Sequence, residues 1–209
     1  VSFCILIPTI NRKDLLVPAL QYYSGTMPNT HLYIWDNGKQ GIDKVSQRMT
    51  IWESETNLGV AASWNRLIQE AMVRGETNFF ILNDDIVYKK GESVVNTMIA
   101  KGTPNTFHRC RPAFNWSAYL LRKEIYQKVG SFDENFKRCY FEDNDYQYRM
   151  KLDGVEIRYE DDLTPDVYLN SQSIAKDPVL SNYIDNRDYF VRKWGGAPDS
   201  EIYKTPFNK

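Results

Sequence analysis

The sequence predicts an α/β fold: one domain with a central, mainly parallel mixed sheet flanked by helices. Three observations point there. Short apolar runs alternate with stretches whose apolar residues recur at helical spacing, the mark of βαβ units. The chain has 209 residues, 42% hydrophobic and 25% charged, enough for one continuous core. Three of the apolar runs end in polar residues, at the edge where open α/β sheets hold their ligands.

Taken in order, Phe3–Ile7 reads as a strand ending at Pro8-Thr9. A helix follows over about Lys13–Tyr23, with Leu15, Leu16, Ala19, Leu20 and Tyr23 on one face. His31–Trp35 reads as a strand stopped by the turn Asp36-Asn37-Gly38, and Thr50–Glu53 as another short strand. Val60–Val73 has helical spacing and closes at Gly75, and Phe79–Leu82 is a strand apolar on both faces. Beyond Gly91 the pattern turns to α+β: a helix at about Glu92–Lys101, an irregular stretch Gly102–Asn115, a strand Ser117–Leu121 and a helix Lys123–Val129. Glu142–Leu152 reads as a helix, Val155–Tyr159 as a strand, and Tyr183–Trp194 as a last helix. A nucleotide-binding half over about 1–101 and an acceptor-binding half over about 102–209 is the resulting expectation.

A formal net charge of -1 removes any global argument for a nucleic-acid or membrane-surface partner. Cys4, Cys110 and Cys139 show neither CxxC nor Cys/His spacing, so no disulfide framework or zinc site is expected. No apolar stretch approaches the roughly 18 residues that a membrane span needs. A cytoplasmic protein without a transmembrane segment is expected. The sequence opens inside a strand and lacks an initiating Met, which leads to the expectation of a piece of a longer polypeptide with further domains.

The chemistry-bearing residues gather at the strand ends. Asn83-Asp84-Asp85 places two carboxylates after the buried run Phe79–Leu82. Hard oxygen donors of this kind suit Mg²⁺ or Mn²⁺, which share their shell with a substrate diphosphate. Turn formation or helix capping is the plainer use of the same residues. Thr9-Ile10-Asn11-Arg12 and Asp36-Asn37-Gly38 end the two other strands. An Asp36 carboxylate could accept the ring N–H of uracil, thymine or guanine, or serve only its turn. Asn57-Leu58-Gly59 precedes a helix with a polar side chain and a glycine, where backbone can approach a ribose or base.

A second acidic cluster, Glu142-Asp143-Asn144-Asp145, opens a helix. Acids in a first turn complement the helix dipole by about 0.3–1 kcal/mol each, and the same place suits a carboxylate base. Which use holds depends on whether the cluster faces Asp85. Core packing is the plainer use of aromatics at these spacings, and Trp116, Tyr119, Tyr140 and Phe141 are also candidates to stack on a sugar, Trp116 foremost. Arg109 and Arg111 could meet an anionic group or form a solvated basic loop.

Six motifs together resemble the family 2-like inverting glycosyltransferases of the GT-A fold, over most of the chain. They are Ile5–Arg12, Trp35–Gly38, Asn57–Asn65, Leu82–Asp85, Gly130–Glu134, and Glu142–Asp145 with Arg149 and Gly154. The layout is also similar to the amino-terminal domain of large viral glycosyltransferases, which would act in a host cytoplasm.

The resemblance implies a metal-dependent transfer of a sugar, with inversion, from a nucleotide diphosphate donor to a glycan hydroxyl, a UDP-sugar foremost. It implies base contacts at Thr9 and Asp36, with Asn11 and Arg12 lining the pocket. Asn57, Gly59 and Asn65 belong to the donor motif. Asp84 would meet the ribose, Asp85 the Mn²⁺ or Mg²⁺, Asp143 the acceptor proton as catalytic base, and Trp116 and Glu142 the acceptor. Two departures stand out: Asn83 opens a triplet that often begins with Asp, and the Val167–Ser173 region lacks the late His of many relatives.

Rival classes lack their signatures. No GxxxxGK[ST] loop or GxGxxG turn follows a strand, and Val87 stands where a phosphoaspartyl hydrolase would carry Thr. The Gly- and Arg-rich phosphate loop of a nucleotide-sugar pyrophosphorylase is also absent. A catalytically inactive nucleotide- or carbohydrate-binding module of the same fold is the standing alternative.

Overall fold

The structure, a computed structural model, describes residues 2–169 and 181–209. Its strands are β1 (Cys4–Thr9), β2 (His31–Asp36), β3 (Met49–Glu53), β4 (Asn78–Leu82), β5 (Ile86–Val87), β6 (Thr106–Arg109), β7 (Ala118–Arg122), β8 (Glu156–Tyr159) and β9 (Val167–Tyr168). Its helices are α1 (Lys13–Thr26), α2 (Val60–Val73), α3 (Gly91–Lys101), α4 (Lys123–Val129), α5 (Glu142–Leu152) and the last helix, Tyr183–Trp194.

Seven strands form the main sheet in the order β3-β2-β1-β4-β7-β6-β8, and β5 pairs with β9 beside it. β1 runs parallel to β2 and β4, β2 to β3, and β6 to β8, while β7 is antiparallel to β4 and β6. The expected mainly parallel mixed sheet is therefore present, with its irregular winding in the second half.

Period-two alternation divides the core. Ile5 and Ile7 of β1, Phe80 and Leu82 of β4, and Leu120 of β7 face α1 and α3. Cys4, Leu6, Phe79, Ile81, Tyr119 and Leu121 face α2, α4 and α5. A third cluster joins Tyr148 of α5 to Phe136, Phe141, Phe190 and Trp194, and so seats the last helix. Burial of both sheet faces explains why the central strands read as continuous apolar runs.

Gly102–Asn115 is not simply irregular, because it contains β6. All four residues of that strand are buried, yet only Phe107 is apolar. Thr106 donates to Glu156 Oε2 at 2.9 Å, and His108 Nδ1 meets Glu160 Oε1 at 2.9 Å. Paired polar side chains let the strand enter the core without an apolar signature. The two-residue strands β5 and β9 are likewise too short to show periodicity.

Candidate active site

β1 leads to β2 on one side and lies against β4 on the other, so the strand order reverses between β1 and β4. That reversal is where open α/β sheets form a ligand crevice. Leu6 stands opposite Ile81, and the same register carried forward sets Thr9 beside Asp84. Thr9 Oγ1 donates to Asp84 Oδ2 at 2.7 Å, with the Ile10 amide reaching the same oxygen at 3.4 Å. Burial pushes the Asp84 carboxyl up to about 7, against the lowering pull of the Thr9 hydroxyl. Asp85 is 5% exposed, and among the described residues its carboxylate makes no hydrogen bond. It lines a cavity of about 560 Å³.

The opposite wall of that cavity is the start of α5. Glu142 and Asp143 both line it, so the second acidic cluster shares a cavity with Asp85. Glu142 is 5% exposed and its Oε2 is buried without a partner. Burial, with Asp143 beside it, pushes Glu142 well above the usual carboxylate range. Burial also raises Asp143, opposed by the Asn144 amide at 2.8 Å and by the Arg109 guanidinium. Asp145, one turn-face away, is fully buried and meets Arg149 at 2.9 Å, Lys193 at 2.6 Å and Trp194 Nε1 at 2.8 Å. It is an anchor for α5 and the last helix.

A strained loop carries this wall. Arg138, Tyr140 and Phe141 have φ of 58°, 82° and 73°, left-handed values that side chains rarely adopt. Asn186 of the last helix clamps the loop: its amide donates to the carbonyls of Lys137, Cys139 and Tyr140 at 2.8, 2.9 and 2.9 Å. The loop lies on the start of α2, where Gly59 has φ +86° and an added Cβ would stand 2.8 Å from Arg138 N. Asn57 Oδ1 accepts the Gly59 amide at 2.8 Å. Glycine is required here by conformation and by close approach.

Of the residues singled out from sequence, Thr9, Asn57, Gly59, Asp84 and Asp85 line the cavity from one side and Trp116, Glu142 and Asp143 from the other. Asn11, Arg12, Asp36 and Asn65 do not. Asp36 is fully buried in its turn, accepting Gly38 N at 3.0 Å, Gln40 N at 2.6 Å and Gln40 Nε2 at 2.9 Å. Its neighbour Asn37 reaches the cavity instead. Arg12 Nε is tied to Asp14 at 3.1 Å. Asn65 donates to Phe132 O and Glu134 Oε1, both at 2.9 Å, and accepts Phe132 N at 2.8 Å, so it staples α2 to the following loop.

The aromatic expectations divide. Tyr119 is fully buried in the core and cannot stack on a ligand. Trp116, 5% exposed, packs against Phe107 and Tyr119 with ring centroids at 5.1 and 4.9 Å and also lines the cavity. Arg109 is buried rather than part of a solvated loop, whereas Arg111 is exposed and paired with Asp161.

No group of three or more His, Cys, Asp or Glu side chains able to hold a metal occurs among the described residues. Mg²⁺ and Mn²⁺ nevertheless commonly rely on one or two carboxylates plus substrate phosphates. The unspent Asp85 carboxylate on the cavity wall fits that donor set. His31 and His108 are tied to Glu76 and Glu160 and line neither wall. Residues 170–173 of the region inspected for a late histidine lie outside the described residues.

The fold is a GT-A type architecture. Among solved structures, S. aureus TarS matches with a TM-score of 0.60 and 13% identity, over 79% of this chain and 36% of that one. GalNAc-T7, solved with UDP, GalNAc and Mn²⁺, matches with a TM-score of 0.67 and 10% identity, over 92% of this chain and 48% of that one. The chain thus spans less than half the length of either glycosyltransferase. Neither likeness supports a viral origin. No family model matches the sequence, and no curated protein matches it. No helix among the described residues is long and apolar enough to cross a membrane.

Proposed function

We propose that the chain is a metal-dependent inverting glycosyltransferase that moves a sugar from a UDP-sugar to a hydroxyl of a glycan. One observation carries this reading: the pairs Asp84-Asp85 and Glu142-Asp143 face a single cavity of about 560 Å³ at the sheet's switch point. The GT-A neighbour solved with UDP and Mn²⁺ supports it. The first half would hold the nucleotide, with Thr9, Asn57 and Gly59 at its pocket and Asp84 toward the ribose. The second half would hold the acceptor.

Bound at Asp85, Mn²⁺ or Mg²⁺ would supply Lewis-acid neutralisation of the leaving diphosphate. Asp143 would take the acceptor's hydroxyl proton as that oxygen bonds to the anomeric carbon and the carbon–oxygen bond to the diphosphate breaks. One displacement with one base gives inversion. The raised basicity of Asp143 suits this role, and the nearby Arg109 guanidinium favours its charged form.

The test is Asp143→Asn. Transfer from a UDP-sugar should fall by about 10²- to 10⁴-fold, with donor binding nearly unchanged. Transfer that survives the change would remove Asp143 from the role of base. A wild-type chain that binds donor but never transfers would be the inactive binding module, the reading that Asn83 and the sparse metal donors favour.

A further inference from the structure

Adjoining the first cavity at Asp143 lies a second cavity of about 280 Å³. It meets the first at Asn115, Trp116, Asp143 and Asn144, and Asp143 is the one acid among the described residues that lines both. We infer that this second cavity binds the acceptor, and that it takes a single uncharged pyranose ring. The inference rests on the reading of Asp143 as the base.

Its walls have the chemistry that sugars need. Asn144 and Gln147 offer amides, and Tyr159, 49% exposed, adds an aromatic ring to the lining. The Arg109 guanidinium lies over Trp116 and Tyr159, 5.0 and 5.4 Å from their centroids. It is fixed by Gln147 Oε1 at 2.6 Å and Asn115 O at 2.7 Å, and it is 5% exposed with Nε buried and unpartnered. No carboxylate of the described residues comes within ion-pair distance of Arg109. A buried guanidinium held only by neutral acceptors, with no ion pair, is costly, and a ligand oxygen at its cavity face would relieve it.

Charge selects the ligand class. Arg109 is countered by Asp143, which lines the same cavity, each favouring the other's charged form. At the rim, Lys151 meets Asp199 at 2.8 Å. The lining cations and anions cancel, so an anionic ligand would meet no net positive field. The volume lies just below the roughly 300–1,000 Å³ of drug-sized pockets, which suits one ring rather than an oligosaccharide. A hydroxyl held between Arg109 and Asp143 would stand beside the carboxylate that takes its proton.

Saturation-transfer NMR on the whole chain, with no donor present, tests this. The probes are methyl pyranosides of glucose, galactose, mannose, N-acetylglucosamine and N-acetylgalactosamine, with methyl glucuronide as the charged comparator. At least one uncharged glycoside should bind saturably and remain bound under saturating UDP. Tyr159→Ala should weaken it by about tenfold, and Tyr159→Phe should not. Calorimetry should show UDP binding unchanged in both variants. The inference is overturned if no uncharged glycoside binds, if UDP displaces it, if the glucuronide binds better, or if Tyr159→Ala has no effect. Failure of UDP to bind would sink the nucleotide-sugar reading alone, because the glycoside measurement needs no donor.

Discussion

Thr9 Oγ1 donates a hydrogen bond to Asp84 Oδ2 at 2.7 Å, joining two residues 75 positions apart across the reversal of strand order. The bond turns one carboxylate of the pair inward and leaves Asp85 as the unspent one. A division of labour between adjacent aspartates therefore follows from strand register.

Thr9→Val keeps the volume and the strand propensity of this buried position but removes the donor. Asp84 Oδ2 would then retain only the Ile10 amide at 3.4 Å. The expected loss of stability is about 1–2 kcal/mol by urea denaturation, and Thr9→Ser should recover most of it. An unchanged denaturation midpoint would show that the bond does not order the site.

Gly59→Ala acts where a Cβ would approach Arg138 N to 2.8 Å, at φ +86°. Strain and clash together should cost about 1–3 kcal/mol. Because the neighbour is the backbone of the wall that carries Glu142 and Asp143, UDP affinity should fall as well. A stable variant with unaltered binding would mean that the wall yields freely.

His108 makes stability depend on pH. The ring is 1% exposed, its Nε2 has no partner, and burial holds its pKa below the usual value. Arg122 and Arg158 also oppose its charge, while Glu160 favours it. The sign follows from linkage. Above the unfolded value of about 6.5 the contribution is fully present. As pH falls through that value, the unfolded chain takes up a proton that the folded one refuses, and stability declines until the folded pKa is passed. Urea midpoints should therefore drop between pH 7 and 5, by at most about 1.4 kcal/mol per unit from this group. In His108→Gln that part of the slope should vanish.

Much of this was legible in the sequence, and what was not has physical causes. α2, α4, α5 and the last helix begin and end where their spacing and stops place them. The strand ends at Thr9 and Asp84-Asp85 were visible because buried parallel strands are unbroken apolar runs. β6 was hidden because its burial is made possible by side-chain partners such as Glu156 and Glu160, far along the chain. The use of Asp36 was open for a similar reason: its turn engages the carboxylate through Gln40, and residue type alone does not show whether a carboxylate is spent. The Asn186 clamp joins residues up to 49 positions apart, and nothing in either segment announces it.

Calorimetric titration of UDP, with and without Mn²⁺, into the wild-type chain and Asp85→Asn tests the central claim most directly. The account predicts that Mn²⁺ tightens UDP binding by about tenfold or more in the wild type, and that Asp85→Asn abolishes this gain while the metal-free affinity stays the same. UDP binding of equal strength in all four titrations would contradict it.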